Sequence, residues 1–425
     1  MNYLEMTRQQ LENEFADVES QLKAYASKGF KFDMTRGKPG SEQLDLSYKL
    51  FNQVNTESNF FNEDNTDCRN YGGMDGISEV KNLFAEILQV PFENVIVGGN
   101  SSLNMMFDTI SQGMVSGFSG EKPWLLQGKV KFICPSPGYD RHFAICEYFG
   151  IEMIPVAFLP DGPDMDEVEK LVADPAVKGI WVVPKYSNPG GAVCSDDVVR
   201  RMANLKPAAK DFRIFWDNAY AVHHLKTPGR EILSLFDECV KAGNPDMFFT
   251  FASFSKITFP GASIAGMAAS DANIKELKGR IAYQTIGPDK LNQLRHARMF
   301  KNIKDIEKHM EKHAQILRPK FKAVSDALEN NLEGKGIAAW TDPDGGYFIN
   351  LEVLPGCAKR TVEVCKSVGL VLTTAGAAYP YGNDPMDTTI RLAPTYPSLE
   401  DLRVASEILC VAVRYAALEM ILKTK

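Results

Sequence analysis

The sequence predicts an α/β protein, with a large domain around a mostly parallel seven-stranded sheet and a smaller α+β domain formed by the N- and C-terminal segments. Between about residues 90 and 270, short apolar runs alternate with helical stretches, which is typical of a parallel sheet covered by helices. After about residue 290, a long charged helical stretch precedes separated strands. We therefore assign residues 50–290 to the large domain, and residues 1–49 and 291–425 to the smaller one.

The first elements of the chain belong to the predicted smaller domain. Apolar residues from Leu4 to Tyr25 fall close to one helical face, which predicts a helix over residues 4–27. The run MTRGKPG (34–40) contains Gly and Pro and separates this helix from the large domain. Because chain termini often lie close together, we expect the helix to pack on the C-terminal segment.

Seven apolar runs have the length and composition of buried strands and form the predicted large sheet. In chain order they are NVIVGG (94–99), KVKFICP (129–135), IEMIPV (151–156), GIWVVP (179–184), FRIFWDN (212–218), MFFTFAS (247–253) and AGMAAS (265–270). The C-terminal elements are a helical stretch over 290–331, the strand-like runs IAAW (337–340), YFINLEV (347–353) and TTIRLAP (388–394), and a final helix.

Composition excludes several classes of protein. The 47 Lys and Arg residues are outnumbered by 54 Asp and Glu residues, and this net charge of -7 argues against a general nucleic-acid-binding protein. No apolar run approaches the ~20 residues that span a bilayer. The charged N-terminus lacks a signal region, and the eight scattered cysteines form no CxxC pair, so we expect a cytoplasmic protein without a membrane segment.

Five clusters of chemically versatile side chains follow predicted strands, where open α/β sheets bind ligands. They are GGNSSLNMM (98–106), SPGYDRH (136–142), SNPGG (187–191), WDNAY (216–220) and SFSKITFPG (253–261). Singly, each is explained by a cap, a turn, packing, an ion pair or an exposed lysine. Asp217, however, ends a buried strand and needs a partner. Lys256 lies in apolar company, which would lower its pKa and favour an amine nucleophile.

In this order and at these strand ends, the clusters resemble the fold-type I pyridoxal-phosphate enzymes, and most closely the class I aminotransferases. The resemblance extends over nearly the whole chain, and RGKPG, GGNSSLNMMFD, SKITFPGA and IRLAP resemble the aspartate-aminotransferase-like subgroup Ic. It implies the pyridoxal-phosphate-dependent transferase fold. It also implies a ping-pong transfer of an amino group between an amino acid, expected to be aspartate, and a 2-oxo acid, expected to be 2-oxoglutarate.

The resemblance assigns roles to residues around the cofactor ring. Lys256 would bind the aldehyde as a Schiff base and later move a proton. Asp217 would pair with the pyridinium nitrogen. Tyr220 and Asn188 would hydrogen-bond the phenolic oxygen, and Tyr139 would lie against the ring. We therefore expect Lys256, Asp217 and Tyr220 to be catalytic.

The resemblance also implies a phosphate site and a shared dimer interface. Gly99, Asn100, Ser101 and Ser253 would surround the cofactor phosphate. Tyr71 matches the tyrosine that reaches the phosphate from the neighbouring subunit, which implies a homodimer with shared active sites. The arginine that usually follows the lysine is missing, because SKITFPGASIAG carries Ser263 near that position.

Substrate binding is the third implication. Arg391 matches the arginine that binds the substrate α-carboxylate, for which a bidentate fork is well suited. Gly37 matches the backbone position that closes over this carboxylate, beside Asn188. No single arginine matches the family's solution for the distal carboxylate of a dicarboxylic substrate. Arg36 is our first candidate, followed by Lys38 and Lys290.

Other interpretations compete with this one. The histidines of HMEKH (309–313) lack a third ligand and the HExxH order, so we expect no metal site and place both on a solvated helix face. A nicotinamide dehydrogenase is disfavoured by the missing glycine fingerprint. A DNA-binding regulator is disfavoured by the acidic charge and by the start of the chain at the aminotransferase-like helix. Another pyridoxal-phosphate reaction, such as β-elimination or decarboxylation, would use the same lysine.

Overall fold

The computed structural model describes residues 1–425 and contains thirteen strands and thirteen α-helices. The strands are β1 (Phe32–Met34), β2 (Val95–Val97), β3 (Lys131–Ser136), β4 (Glu152–Leu159), β5 (Gly162–Pro163), β6 (Val177–Val182), β7 (Arg213–Asp217), β8 (Phe248–Ser253), β9 (Ala265–Ala269), β10 (Ala338–Trp340), β11 (Ile349–Val353), β12 (Leu370–Leu372) and β13 (Thr389–Leu392). The helices are α1 (Arg8–Ala26), α2 (Ser41–Asp45), α3 (Ser78–Leu88), α4 (Ser102–Ser116), α5 (Asp140–Phe149), α6 (Met165–Leu171), α7 (Asp196–Ala203), α8 (Leu235–Lys241), α9 (Asp271–Gln284), α10 (Lys290–Met299), α11 (Ile303–Leu332), α12 (Ala358–Ser367) and α13 (Leu399–Thr424).

The large sheet has the strand order β2-β9-β8-β7-β6-β3-β4-β5. Neighbouring strands from β8 through β7, β6 and β3 to β4 are parallel, whereas β9 runs antiparallel to both β2 and β8. The seven predicted strands are therefore all present in a mostly parallel sheet. The sheet gains an eighth strand, β5, which pairs antiparallel with β4. Its two residues are too few to give a periodic signal in the sequence.

Successive residues of the central strands face opposite layers of helices. In β7, Phe215 packs in the apolar cluster that includes residues of α4, α5 and α9, whereas Ile214 and Trp216 pack in the cluster that includes α6, α7 and α8. All residues of β6 and β7 are buried, as expected for parallel strands covered on both faces. Their carboxyl ends therefore lead into the loops that carry the predicted functional side chains.

The smaller domain joins both ends of the chain. Strands β10, β11 and β13 form an antiparallel sheet, and β1 pairs in parallel with β12. Leu11 and Val18 of α1 lie in the same apolar cluster as Leu402 and Ile408 of α13. The packing of the N-terminal helix on the C-terminal segment is thus as predicted.

The stretch predicted as one helix over 290–331 consists of two helices, α10 and α11. The break lies at Asn302, whose side chain accepts a hydrogen bond from the backbone N–H of Asp305 and caps α11. Helix α11 contributes to two apolar clusters: Met310 packs with the strands of the large sheet, and Leu317 packs with the smaller domain. The domain boundary at residue 290 stays a prediction.

Three further features concern membrane-spanning segments, cysteines and metal ligands. No helix of the structure combines the length and the apolar character that crossing a bilayer requires. All eight cysteines are buried and unpaired. No group of three or more His, Cys, Asp or Glu side chains is arranged to hold a metal ion.

Candidate active site

A cavity of about 200 Å³ lies between the carboxyl ends of the central strands and the smaller domain. Eight of the predicted site residues line it: Arg36, Gly37, Tyr139, Asn188, Asp217, Tyr220, Lys256 and Arg391. Residues far apart in the sequence therefore meet in one cleft.

Asp217 is the last residue of β7 and is buried. Its Oδ2 accepts a hydrogen bond from Nε2 of buried His142 over 3.0 Å. The His142 ring stacks on Trp181, with centroids 4.4 Å apart and planes 9° apart. Asp217 Oδ1 has no hydrogen-bond partner. The site therefore offers one fixed carboxylate oxygen and one that is free to accept a hydrogen bond from a ligand.

His142 was not among the predicted site residues, although it lies in the SPGYDRH cluster. Helical spacing could have found it, because Tyr139 precedes α5 and His142 follows one turn later. The two rings meet edge to face with centroids 5.0 Å apart. One helix start thus supplies both the aromatic side chain and the partner of the buried carboxylate.

Two phenols border the same cavity. Burial, followed by the nearby Asp217 charge, raises the pKa of Tyr139 to about 12. Burial, followed by the charges of neighbouring groups including Asp217, raises the pKa of Tyr220 well above its usual value. Both phenols are therefore protonated at neutral pH and able to donate hydrogen bonds.

Lys256 follows β8 and points toward the aromatic side of the cavity. Its Nζ lies 5.0 Å from the ring centroid of Tyr220 and 5.8 Å from that of Tyr347. Burial lowers the pKa of Lys256, an effect that the charge of Asp217 opposes. The neutral amine is thereby more populated than in an exposed lysine, which favours nucleophilic attack and proton transfer.

A buried polar network supports the backbone of this lysine. The Tyr347 hydroxyl donates to the Lys256 carbonyl over 3.5 Å. Gln43 Nε2 donates to the Tyr347 hydroxyl and to Nδ1 of His313, both over 3.0 Å. His313 Nε2 lies 3.1 Å from Nε2 of His309. The network connects the N-terminal segment, the long helix α11 and the loop that carries Lys256.

The placement of His309 and His313 on a solvated helix face was therefore wrong, since both are buried. Burial lowers the pKa of His309, and burial lowers that of His313 to about 3. Both rings are neutral near pH 7. In the sequence, two histidines at i and i+4 are compatible with a buried network as well as with a solvated helix face. Only the residues that pack against them in the fold distinguish the two arrangements.

Arg391 of β13 forms the opposite wall and is 8% exposed. Its Nη1 donates to Asp140 Oδ1 over 2.8 Å and to Asn188 Oδ1 over 3.4 Å. The ring of Phe348 lies 5.1 Å from the guanidinium carbon. A Cβ atom at Gly37 would lie 2.5 Å from Cζ of Phe348, so only glycine lets the N-terminal loop pass this close to the ring.

Hydroxyl groups occupy the place where the usual arginine is missing. Ser101 lies at the N-terminus of α4, where free backbone N–H groups attract anions. Ser255 Oγ lies 3.4 Å from the Asn100 carbonyl oxygen and 3.3 Å from Ser263 Oγ, and Ser253 Oγ donates to Ser255 Oγ over 3.1 Å. Gly99, Asn100, Ser101 and Ser253 are not among the residues that line the 200 Å³ cavity, and Gly99 lines a separate cavity with Met105. The N–H and O–H donors grouped here can bind an anion. Gly99 lies in the same turn before α4.

Three further predicted residues lie outside the cavity or have other partners. Tyr71 is 79% exposed and does not line the cavity of its own chain. Lys290 is buried, and its Nζ donates to the carbonyl of Gly72 over 2.5 Å, which removes it as a candidate for substrate binding. Lys38 does line the cavity, but its Nζ lies 3.7 Å above the ring of Tyr396.

The chain resembles known proteins over almost its full length. The family described as aspartate amino-transferase matches residues 6–425. An aspartate aminotransferase of Corynebacterium glutamicum is 46% identical over 404 residues, which cover 95% of this chain and 93% of that protein. A crystal structure of an aspartate transaminase from Corynebacterium glutamicum is 44% identical, superposes with a TM-score of 0.96 and is matched over 99% of both chains.

A more distant structure has the same fold. LysN, an α-aminoadipate aminotransferase from Thermus thermophilus complexed with N-(5'-phosphopyridoxyl)-L-leucine, superposes with a TM-score of 0.74. The match covers 94% of this chain and 95% of that one at 18% identity. At this identity the likeness shows the fold alone.

Proposed function

The chain belongs to the aspartate amino-transferase family, and from this premise we propose that it transfers the amino group of aspartate to 2-oxoglutarate with pyridoxal 5'-phosphate as cofactor. One arrangement carries the proposal. The same cavity contains Lys256, an amine of lowered pKa, and Asp217, a buried carboxylate with a free oxygen. Strongly perturbed ionisable groups in a cleft are typical of active sites.

The donors and acceptors of the cavity fit this cofactor. Oδ1 of Asp217 would accept a hydrogen bond from the protonated ring nitrogen and so keep it protonated. The phenol of Tyr220 and the amide of Asn188 would donate to the phenolic oxygen. Tyr139 would lie against the ring. When bound, pyridoxal phosphate supplies an electron sink for the electron pair left on the substrate α-carbon. Lys256 would hold the cofactor covalently and then, as a free amine, move the proton.

The proposed phosphate site consists of Gly99, Asn100 and Ser101 with Ser253. The N-terminus of α4 would supply backbone N–H donors, which bind anions without a cationic side chain. The neighbouring hydroxyls of Ser253, Ser255 and Ser263 supply further donors. These groups would compensate for the arginine that the sequence lacks.

A homodimer with shared active sites is part of the proposal. Tyr71 is 79% exposed, and a neighbouring segment carries further exposed apolar side chains: Ile286 is 62% exposed, and Tyr283 is 95% exposed. Gly72 N–H donates to the Ile286 carbonyl over 3.2 Å, so these segments are adjacent. Exposed apolar side chains grouped in this way are typical of protein interfaces. Tyr71 would then serve the phosphate of the partner subunit.

Hybrid dimers test the sharing of sites. We expect Tyr71→Phe and Lys256→Ala proteins to be impaired singly and to recover activity when mixed under conditions that exchange subunits. One of the two sites in a hybrid would receive an intact Tyr71 and an intact Lys256. If hybrid dimers are confirmed but show no recovered activity, although Tyr71→Phe alone is impaired, the active sites are not shared.

Arg391, Gly37 and Asn188 form the proposed site for the substrate α-carboxylate, and Arg36 is proposed to bind the distal carboxylate. Arg36 lines the cavity next to Gly37. A second cation is needed because Arg391 meets only the carboxylate that every amino acid has.

The compartment we propose is the cytoplasm, where eight unpaired cysteines stay reduced.

Arg36→Ala is expected to raise the KM for aspartate roughly tenfold or more, because about one charge-assisted hydrogen bond to the distal carboxylate is lost. The KM for alanine should hardly change, because alanine has no distal carboxylate and serves as the internal control. Steady-state kinetics with both donors measure the difference. If the preference for aspartate over alanine survives in Arg36→Ala, Lys38 becomes the next candidate.

A further inference from the structure

The arginine proposed to bind the substrate already holds a carboxylate. Arg391 Nη1 and Asp140 Oδ1 are 2.8 Å apart, and the side chains are 8% and 33% exposed. Asp140 lines the cavity beside Tyr139. It lies in the first turn of α5, the helix that also places His142 on Asp217. The carboxylate is therefore held at the substrate end of the site by the same rigid element that organises the cofactor end.

The ion pair leaves Arg391 incompletely satisfied. Asp140 engages Nη1 alone, the nearest contact of Nη2 is Thr373 Oγ1 at 3.4 Å, and buried Nε has no partner. A guanidinium binds a carboxylate best through two parallel hydrogen bonds. A free carboxylate that reached Arg391 could therefore make more of these bonds than Asp140 makes.

A substrate carboxylate and Asp140 cannot share Arg391 without repulsion, because like charges on one cation oppose each other. Asp140 is exposed enough to turn toward solvent. Arg36, Lys38 and Arg141 line the same cavity and take part in no ion pair, so a displaced carboxylate stays in a positive environment. The exchange of one carboxylate for another is thus feasible within the site.

We propose that Asp140 is an internal counter-ion that occupies the α-carboxylate site of the substrate-free protein and sets its affinity for substrate carboxylates. This rests on the proposed role of Arg391. Without a partner, a nearly buried arginine would be costly. Asp140 neutralises it between turnovers, excludes small inorganic anions and yields to a bidentate substrate. It lowers the affinity for the amino acid and for the 2-oxo acid alike, since both carry this carboxylate.

Asp140→Asn tests the proposal in the holoenzyme, because the amide oxygen can still accept from Arg391 while the charge is lost. We expect the KM for aspartate and that for 2-oxoglutarate each to fall roughly tenfold at low salt. The Kd of succinate, a dicarboxylate that cannot react, should fall by a similar factor in calorimetry. Inhibition by sulfate should become stronger. Calorimetry makes the result independent of turnover.

Asp166→Asn is the matched control. Asp166 also lies in the first turn of a helix and is ion-paired to an arginine, Arg201, over 2.6 Å, but it lies outside the cavity. Its substitution should change neither the KM values nor the Kd of succinate. A general effect of removing a helix-terminal ion pair would appear in both variants, and it would overturn the proposal.

An unchanged or higher KM and succinate Kd in Asp140→Asn would also overturn it, and would instead make Asp140 a residue that positions Arg391. Should Asp140→Asn fail to fold, Asp140→Ser is measured in the same way, with the same two outcomes. Arg391→Lys separates this inference from the proposed function. If that variant binds succinate as well as the wild type does, Arg391 is not the carboxylate site and both proposals fail there. If Arg391→Lys binds succinate weakly, Arg391 is the carboxylate site, and the KM and Kd values of Asp140→Asn decide whether Asp140 is its counter-ion.

Discussion

Lys256→Ala is expected to abolish the visible absorption of the cofactor-loaded protein and to slow transamination by about 10³-fold or more. Lys256 Nζ is the amine of lowered pKa in the cavity, and it is the proposed carrier of the proton. Its loss removes both the covalent attachment and the base. Spectroscopy of the loaded protein and a coupled assay of 2-oxo acid formation measure the two effects.

Lys185 provides a matched control for this experiment. Burial lowers the pKa of Lys185 to about 8, but its Nζ donates to the Ala221 carbonyl over 2.7 Å and lies outside the cavity. Borohydride should fix the cofactor to Lys256 and leave Lys185 unlabelled. A labelled peptide that contains Lys185, or a Lys256→Ala protein that keeps the visible band, would refute the assignment of the catalytic lysine.

The site residues could be predicted best where a chemically versatile side chain lies at the end of a predicted strand. Asp217 ends the buried strand β7, and Lys256 lies three residues after the end of β8. A charged group beside a buried strand needs a polar partner or a ligand, and both side chains line the cavity. The parallel central strands bring these ends to one edge of the sheet. Their meeting could therefore be predicted from order along the chain alone, without any distance.

Contacts between distant segments could not be predicted in this way. Gln43 and Tyr347 are 304 positions apart and meet only when the N-terminal segment docks on the smaller domain. The pair of Asp140 and Arg391 spans 251 positions. Neither pair has a motif or a period that marks it, because the partner of a polar side chain is chosen by tertiary packing. The sequence singled out Arg391 but gave no sign of its ion pair with Asp140.

Asp217 illustrates how much one such contact changes a prediction about catalysis. The sequence indicated a buried carboxylate with the cofactor as its partner. The structure adds His142, which donates to one oxygen over 3.0 Å and leaves the other free. Because His142 stacks on Trp181, the carboxylate is held in place before any ligand binds. Preorganised groups of this kind stabilise charge without rearrangement during the reaction.

Asp217→Ala is therefore expected to slow the half-reaction with aspartate by about 10³-fold, equivalent to a loss of roughly 4 kcal/mol of transition-state stabilisation. Without Asp217, nothing would keep the ring nitrogen of the cofactor protonated. The visible band should still form, because Lys256 is intact. Stopped-flow measurement of the half-reaction and titration of the visible band separate chemistry from cofactor attachment.

The same substitution also removes the hydrogen-bond partner of His142, which costs about 1–3 kcal/mol for a buried donor left unpaired. His142→Phe isolates this structural part, because it keeps the carboxylate and removes the imidazole. If the role of Asp217 is chemical, both variants should lose thermal stability without cofactor, His142→Phe the more because it leaves a buried carboxylate without its partner. Only Asp217→Ala should lose the half-reaction almost completely. Asp217→Asn should stay slow despite its similar shape, since a neutral amide does not hold the proton on the ring nitrogen. A half-reaction rate near that of the wild type in Asp217→Ala would show that the free oxygen of Asp217 serves another ligand.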